Sequence, residues 1–436
     1  MMKKNRTIYF LLALVCLGLQ SCLFQEEDYF DDSSANRATA DVKRCSELLE
    51  AAPNGWVMEY YVGKDYSLGG ITLLCKFDGQ RVTMASQMAG ADETVSSLYS
   101  VKSEQATMLS FDTYNYLVHY FGQPQGSMAD DPNGTLGGDY EFVISDATAD
   151  RIELKGKKYG NRIVMKAFSA DQTWKQYLTR IKKVEDDAFF YEYDLRMDGL
   201  YTGQMLRSNY TFIVTYYDEV GKVYQKTVPF MFTTDGMRFH EPVTIDGQTM
   251  QNFVWKNEEI SFVCTDEGAT GVKMKGIYID GYQSYDYYPG TYLMDFYRLN
   301  GATNQLEVAS QEIQLVKNED GKSYWLKGLE YDILVTYDKP RGGLSILPQF
   351  LKKVQGGYVY LAMWDLMNDY VLRSSAIGLI SYPTTDGIYL VDNGVWMGEI
   401  SGFIFGVYDS QDEEASFMGY TDAVAAIRLI KKTIEE

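Results

Sequence analysis

The sequence predicts a mainly β protein: two or three antiparallel β-sandwich or barrel-like modules built from β-meanders, with one or two short helices. Three observations carry this. The 436 residues include 36 tyrosines and 21 phenylalanines, side chains that suit a pleated, half-buried surface. Apolar residues alternate with polar ones from Trp56 to beyond residue 400. The intervening segments are rich in turn dipeptides such as Asp78-Gly79, Asp198-Gly199 and Asp246-Gly247, while prolines number only nine, as expected for hairpin-linked strands.

Residues 1–21 read as a signal peptide of the lipoprotein type. Lys3, Lys4 and Arg6 form a basic start, and Ile8 to Leu19 an apolar run shorter than the ~20 residues of a spanning helix. Leu19-Gln20-Ser21 then precedes Cys22, the expected acylated N-terminus after cleavage. The sequence Leu23-Phe24-Gln25-Glu26-Glu27-Asp28-Tyr29-Phe30-Asp31-Asp32 places five carboxylates behind that cysteine. It resembles the surface-export signal of lipoproteins in Bacteroidetes-type bacteria, which implies an outer-membrane, outward-facing location. Residues 22–40 are expected to form an acidic, flexible tether.

An N-terminal β domain is expected over 41–186, a middle β module over 187–267 and a C-terminal β domain over 268–436. Asp41 is placed to cap a short helix with Val42, Cys45, Leu48 and Leu49 on one face, ended by Pro53-Asn54-Gly55. A strand starts at Trp56, and a second helix fits Asp171–Val184, where Trp174, Tyr177, Leu178 and Ile181 share a side. Asp422–Ile434 fits either a helix or a final strand. A turn pattern recurs at Thr148-Ala149-Asp150-Arg151, Thr233-Thr234-Asp235-Gly236 and Thr384-Thr385-Asp386-Gly387, each between two strands. Its Thr and Asp side chains can bond nearby backbone. Shared ancestry and convergent turn chemistry both account for the recurrence.

Composition narrows the function. Removing Lys3, Lys4 and Arg6 with the signal takes the formal charge from −20 to −23, which disfavours nucleic acid as a partner. Cys45, Cys75 and Cys264 have neither zinc-site nor disulfide-framework spacing. They are read as buried thiols, with Cys45–Cys75 the one pairing to consider. The two histidines, His119 and His240, lie far apart in the chain, and His119 reads as a packing residue. There is no H-E-x-x-H, no G-x-S-x-G and no phosphate-binding glycine loop.

Two segments suit binding. Tyr282, Tyr285, Tyr287, Tyr288 and Tyr292 could present ring faces to a glycan or a protein, or fill a core. Asp130, Asp131, Asn133 and Asp139 lie on a glycine-rich loop with oxygen ligands for calcium, although the spacing is not that of an EF-hand. No cofactor is otherwise expected.

Ala52-Pro53-Asn54-Gly55-Trp56, Leu109-Ser110-Phe111-Asp112-Thr113-Tyr114-Asn115, Gly138-Asp139-Tyr140-Glu141-Phe142 and Leu154-Lys155-Gly156-Lys157-Lys158-Tyr159-Gly160 resemble, in this order, the DUF4302 lipoproteins of gut Bacteroidetes. The resemblance covers 52–160. It implies a surface lipoprotein encoded beside SusC/SusD-type uptake systems and supplies no catalytic residues. The expected function is a non-catalytic binding or accessory component of nutrient uptake. The rivals are a carboxylate-pair glycoside hydrolase and a surface adhesin or structural lipoprotein.

Overall fold

A computed structural model describes residues 33–124, 134–217, 220–412 and 414–432. Among these residues the chain forms two closed eight-stranded antiparallel barrels and a third sheet of twelve strands. By contacts it divides into two compact units. The first runs to Asp187 and takes in Met197–Leu200 and Ser208–Lys273. The second comprises Ala188–Arg196, Tyr201–Arg207 and the chain from Met274.

The first helix, α1 (Ser34–Ala51), starts earlier than the sequence suggested. Ser33, not Asp41, is its cap, its hydroxyl accepting from the Asn36 N–H at 3.2 Å. Residues 34–40, expected in the tether, are therefore helical. Asp41 instead accepts hydrogen bonds from Arg44 and from Thr107. The apolar stripe of α1 works as the periodicity implies: Cys45 and Leu49 are buried, and Leu48 packs beside them.

The first barrel follows as a simple meander, each strand pairing with the next and β8 closing on β1. Its strands are β1 (Trp56–Val62), β2 (Gly69–Asp78), β3 (Arg81–Ser86), β4 (Val95–Ser103), β5 (Thr107–Phe111), β6 (Glu141–Ala147), β7 (Arg151–Gly156) and β8 (Arg162–Ala167). Period-two alternation sends Trp56, Met58 and Tyr60 inward and Val57, Glu59 and Tyr61 outward. With eight strands the interior is just wide enough for side chains to fill, and Leu73, Leu109, Phe142 and Met165 complete that fill. The Trp56 indole donates to the Leu49 carbonyl at 2.8 Å, tying α1 to the barrel. A short helix, α2 (Tyr116–His119), lies between β5 and β6.

Helix α3 (Trp174–Asp187) begins three residues after the expected start. Thr173 and Gln176 form a capping box there, the Thr173 N–H donating to Oε1 of Gln176 and the Gln176 N–H to Oγ1 of Thr173. Leu178, Ile181 and Val184 are its buried face.

The second barrel contains β9 (Glu192–Met197), β10 (Leu200–Ser208), β11 (Thr211–Tyr217), β12 (Val223–Phe232), β13 (Gly236–Ile245), β14 (Gln248–Lys256), β15 (Ser261–Cys264) and β16 (Val272–Ile277). The middle module thus runs to Ile277, past the boundary expected at 267. Phenylalanines and methionines are the commonest of its buried residues, with Phe212 stacked on Phe230 at 4.5 Å and Phe239 against Phe253. Asp246 and Gly247 both have positive φ, 46° and 76°. That is the I′ hairpin geometry the Asp-Gly pair favours.

In the third sheet, eight strands between Gly290 and Lys431 close a ring in which the first, Gly290–Asn300, pairs with the last, Phe417–Lys431. Of the segment left open between helix and strand, residues 422–431 are therefore strand, and 433–434 lie outside the described residues. On its other side this last strand changes partner: Leu429 faces Ile388, whereas Ala425 faces Gly402. Ala426, at φ 50°, sits at the switch and donates its N–H to the Ser401 carbonyl. Such an unpaired extra residue bends the strand.

The recurring Thr-x-Asp turns do the local work expected of them. Thr148, Thr233 and Thr384 each donate a hydroxyl hydrogen bond to the Asp two residues on. The turns occupy unlike places, though, joining the sixth and seventh strands of one barrel but the fourth and fifth of the next. The turns therefore do not mark equivalent positions of the two barrels. Cys45, Cys75 and Cys264 are free and buried. No Cys45–Cys75 bridge forms. Among the described residues no helix is long and apolar enough to cross a membrane.

Trp56→Ala removes the largest fully buried side chain of the first barrel and its link to α1. It should lower stability by about 3–5 kcal/mol, read from the urea midpoint of the transition that includes residues 33–187.

Candidate functional site

The first unit contains an open cleft of about 830 Å³, lined mainly by outward-facing residues of β1, β6, β7, β8, β13 and β14 together with Tyr66. Alternation along β1 makes Glu59 and Tyr61 face away from the barrel interior. Along β13 it does the same for Arg238 and His240, while Met237 and Phe239 are buried. The two outer faces meet at an ion pair. A guanidinium nitrogen of Arg238 lies 2.5 Å from Oε2 of Glu59, and Nζ of Lys166 lies 2.7 Å from Oε1. Only 13 % of the Glu59 side chain and 24 % of that of Arg238 is exposed.

Burial opposes ionisation of Glu59. The hydrogen bonds and charges of Arg238 and Lys166 outweigh it and hold the carboxyl below its ordinary range. The same pair works in reverse on Arg238, whose pKa is raised although burial lowers it. A carboxylate clamped by two cations stays charged and has no proton to give.

Beside this pair three rings pack together. His240 lies 4.2 Å from the Tyr61 ring and 4.1 Å from the Tyr66 ring, centroid to centroid. Burial is the chief cause that lowers the His240 pKa. Arg238 adds to it, and Glu241 and Glu59 act against it. The Tyr61 hydroxyl is buried near Arg238, yet makes no hydrogen bond of good geometry among the described residues. Tyr66 is held by an unusual backbone: it and Asp65 both have positive φ, 61° and 54°. Non-glycine residues seldom adopt this conformation outside sites that require it. The Tyr66 hydroxyl accepts from the Arg162 N–H at 3.3 Å.

On the β7–β8 face, antiparallel register sets Arg151 opposite Lys166 and Lys155 opposite Arg162. Arg151 pairs with Glu153 at 3.0 Å. Among the described residues, Lys155 and Arg162 make no ion pair.

The residues singled out from the sequence lie elsewhere. Tyr288 and Tyr292 are fully buried, so they cannot form the exposed ring platform considered for them. Their hydroxyls donate to the carbonyls of Gly342 and Tyr288, and Tyr285 stacks on Tyr324. A tyrosine can sit in a core when its hydroxyl finds an acceptor there. Tyr282 is half-buried, its ring stacked on Phe189 and its hydroxyl accepting from Tyr337. Tyr287 is exposed beneath the Lys431 ammonium.

Asp130, Asp131, Asn133 and Cys22 lie outside the described residues. Asp139 is buried, and its carboxylate accepts the N–H groups of Lys158 and Tyr159, which fixes the β7–β8 turn. Those oxygens are already engaged. Among the described residues, no group of three or more His, Cys, Asp or Glu side chains is arranged to hold a metal ion. His119 stacks on Tyr140 at 4.7 Å, as a packing residue does.

Two outcomes follow from the cleft. Arg238→Met leaves Glu59 half-neutralised in a desolvated position and should cost about 1–3 kcal/mol in urea unfolding. The lowered His240 pKa means that the unfolded chain takes up this proton first as pH falls. The histidine's contribution is therefore complete above its ordinary value of 6.5 and declines as pH drops through the lowered folded value. Stability of His240→Gln should lack that component, so the wild-type-minus-variant difference shrinks between neutral and mildly acidic pH.

Comparison with known proteins places the cleft in a family. No curated protein matches the sequence. Among solved structures, a protein of unknown function from the DUF3598 family of Nostoc punctiforme is similar at 7 % identity and a TM-score of 0.15, over 57 % of this chain and 99 % of that one. Residues 265–404 match a second domain of unknown function, DUF4987, and overlap the C-terminal domain expected over 268–436. Residues 26–257 match the domain of unknown function DUF4302. That span is wider than the 52–160 bearing the motifs, and it includes every strand that lines the cleft. The chain belongs to the DUF4302 family.

Proposed function

We propose that this protein is an acylated, surface-facing lipoprotein that binds a ligand without transforming it, as an accessory component of a SusC/SusD-type nutrient-uptake system. The single observation that carries the non-catalytic reading is the state of Glu59. The most buried carboxylate of the cleft is committed to Arg238 and Lys166 and is unsuited to act as a general acid, which needs a raised pKa. Glu153 is likewise engaged by Arg151. A carboxylate-pair hydrolase needs one acid kept protonated and one left free to attack or to activate water. What remains in the cleft is one exposed carboxylate, Glu241, among ring faces and cations, the equipment of recognition.

The address rests on residues 19–32, the lipobox and the acidic run behind Cys22. The uptake context rests on the resemblance of the N-terminal region to surface lipoproteins encoded beside such transporters.

Protein lacking residues 1–21 should bind at least one member of a panel of plant and host polysaccharides and peptides by titration calorimetry. Chromatography of the same mixtures should show every chain intact. Appearance of shortened glycans, abolished by Glu59→Gln, would overturn the non-catalytic reading.

A further inference from the structure

We infer that the cleft takes an anionic saccharide, one whose sugar rings carry carboxylate or sulfate groups; this deepens, and rests on, the reading of the cleft as a binding site. The chain as a whole carries −20, yet the cleft lining holds five basic side chains against three acidic ones. Two of the three acids are paired within the protein, Glu59 by Arg238 and Lys166 and Glu153 by Arg151, and the third, Glu241, is exposed.

Lys155 and Arg162 stand apart. They face each other directly across β7 and β8, both are exposed, and among the described residues no carboxylate pairs with either. Like charges directly opposite on neighbouring strands destabilise a sheet. An arriving anion would relieve that repulsion and gain two charge-assisted hydrogen bonds.

The choice of saccharide comes from what surrounds the two cations. Tyr66 touches the Arg162 backbone through its hydroxyl, and a strained turn fixes its ring at the cleft wall. A flat ring beside a cation suits a sugar ring bearing an acid group. A peptide, by contrast, commonly gains affinity by adding a strand to a free sheet edge. Both barrels are closed, so the cleft walls offer no such edge. A long polyanion would also meet the repulsion of the whole chain, which favours short acidic segments once salt has screened the distant charges.

Calorimetric titration of the protein lacking residues 1–21, at about 0.15 M salt, tests this with four defined probes. These are tetragalacturonate, a chondroitin sulfate tetrasaccharide, cellotetraose and tetraglutamate. At least one of the two acidic saccharides should bind, and the one that does identifies carboxylate or sulfate as the recognised group. Its Kd should rise about tenfold or more in Lys155→Gln/Arg162→Gln, with thermal unfolding unchanged or slightly improved because the repulsion is gone.

Cellotetraose binding as tightly as the acidic saccharides, or a double variant with unaltered affinity, would overturn the inference while leaving the binding reading intact. Tetraglutamate binding more tightly than any saccharide would overturn the saccharide assignment. Silence of these probes together with the wider polysaccharide and peptide panel would defeat both readings.

Discussion

The contact between Glu59 and Arg238 organises the cleft. It joins the outer face of one closed barrel to the outer face of another, and it does so with charges that cannot leave once buried. Removing water from a carboxylate is costly unless a partner compensates. Here two partners do, so the carboxylate is fixed in charge and position. The aromatic trio packs alongside, the cleft opens beside it, and the remaining cations stand at its rim. A site built on a neutralised pair at its base and unneutralised cations at its edge can attract and orient an anion. Its buried carboxylate, held ionised, has no proton to give.

Barrel closure explains why recognition falls to side chains. An eight-stranded meander that pairs its last strand with its first has satisfied its backbone donors and acceptors in the ladder. Its interior is filled by Trp56, Tyr60, Phe142 and their neighbours. Neither an internal cavity nor a strand edge is then needed to hold a partner. What remains for chemistry is the outward half of each alternating strand, and β1, β7, β8, β13 and β14 supply most of it.

Much of the fold was legible in the sequence because its causes are local. Alternation from Trp56 onward, Asp-Gly dipeptides at hairpins and the amphipathic stripe through Cys45 and Leu49 each act over a few residues. The cap at Ser33 is hard to read because the acidic run before it suggests a tether and the residue it bonds, Asn36, contributes only its backbone N–H. The second barrel runs past 267 because β16, beyond a short link, is the strand that closes it onto β9, a pairing no local signal marks. The site was not legible. Glu59 and Arg238 are far apart in the chain, and no motif marks a pair that exists only once two barrels have formed. Tyrosine density drew attention to residues 282–292 instead, but density does not distinguish a ring with a backbone acceptor waiting in the core from one offered to a ligand. The one local signal available was the like-charged Lys155 and Arg162 on successive strands, which gains meaning only from the register that sets them face to face.

The titration of Glu59 itself is the most direct measurement. Carbon-detected NMR of selectively labelled protein, assigned with Glu59→Gln, should place this carboxyl below the ordinary glutamate range, as a clamped and permanently charged group requires. A value raised towards neutrality, where glycosidase acids operate, would contradict the account and return the cleft to catalysis.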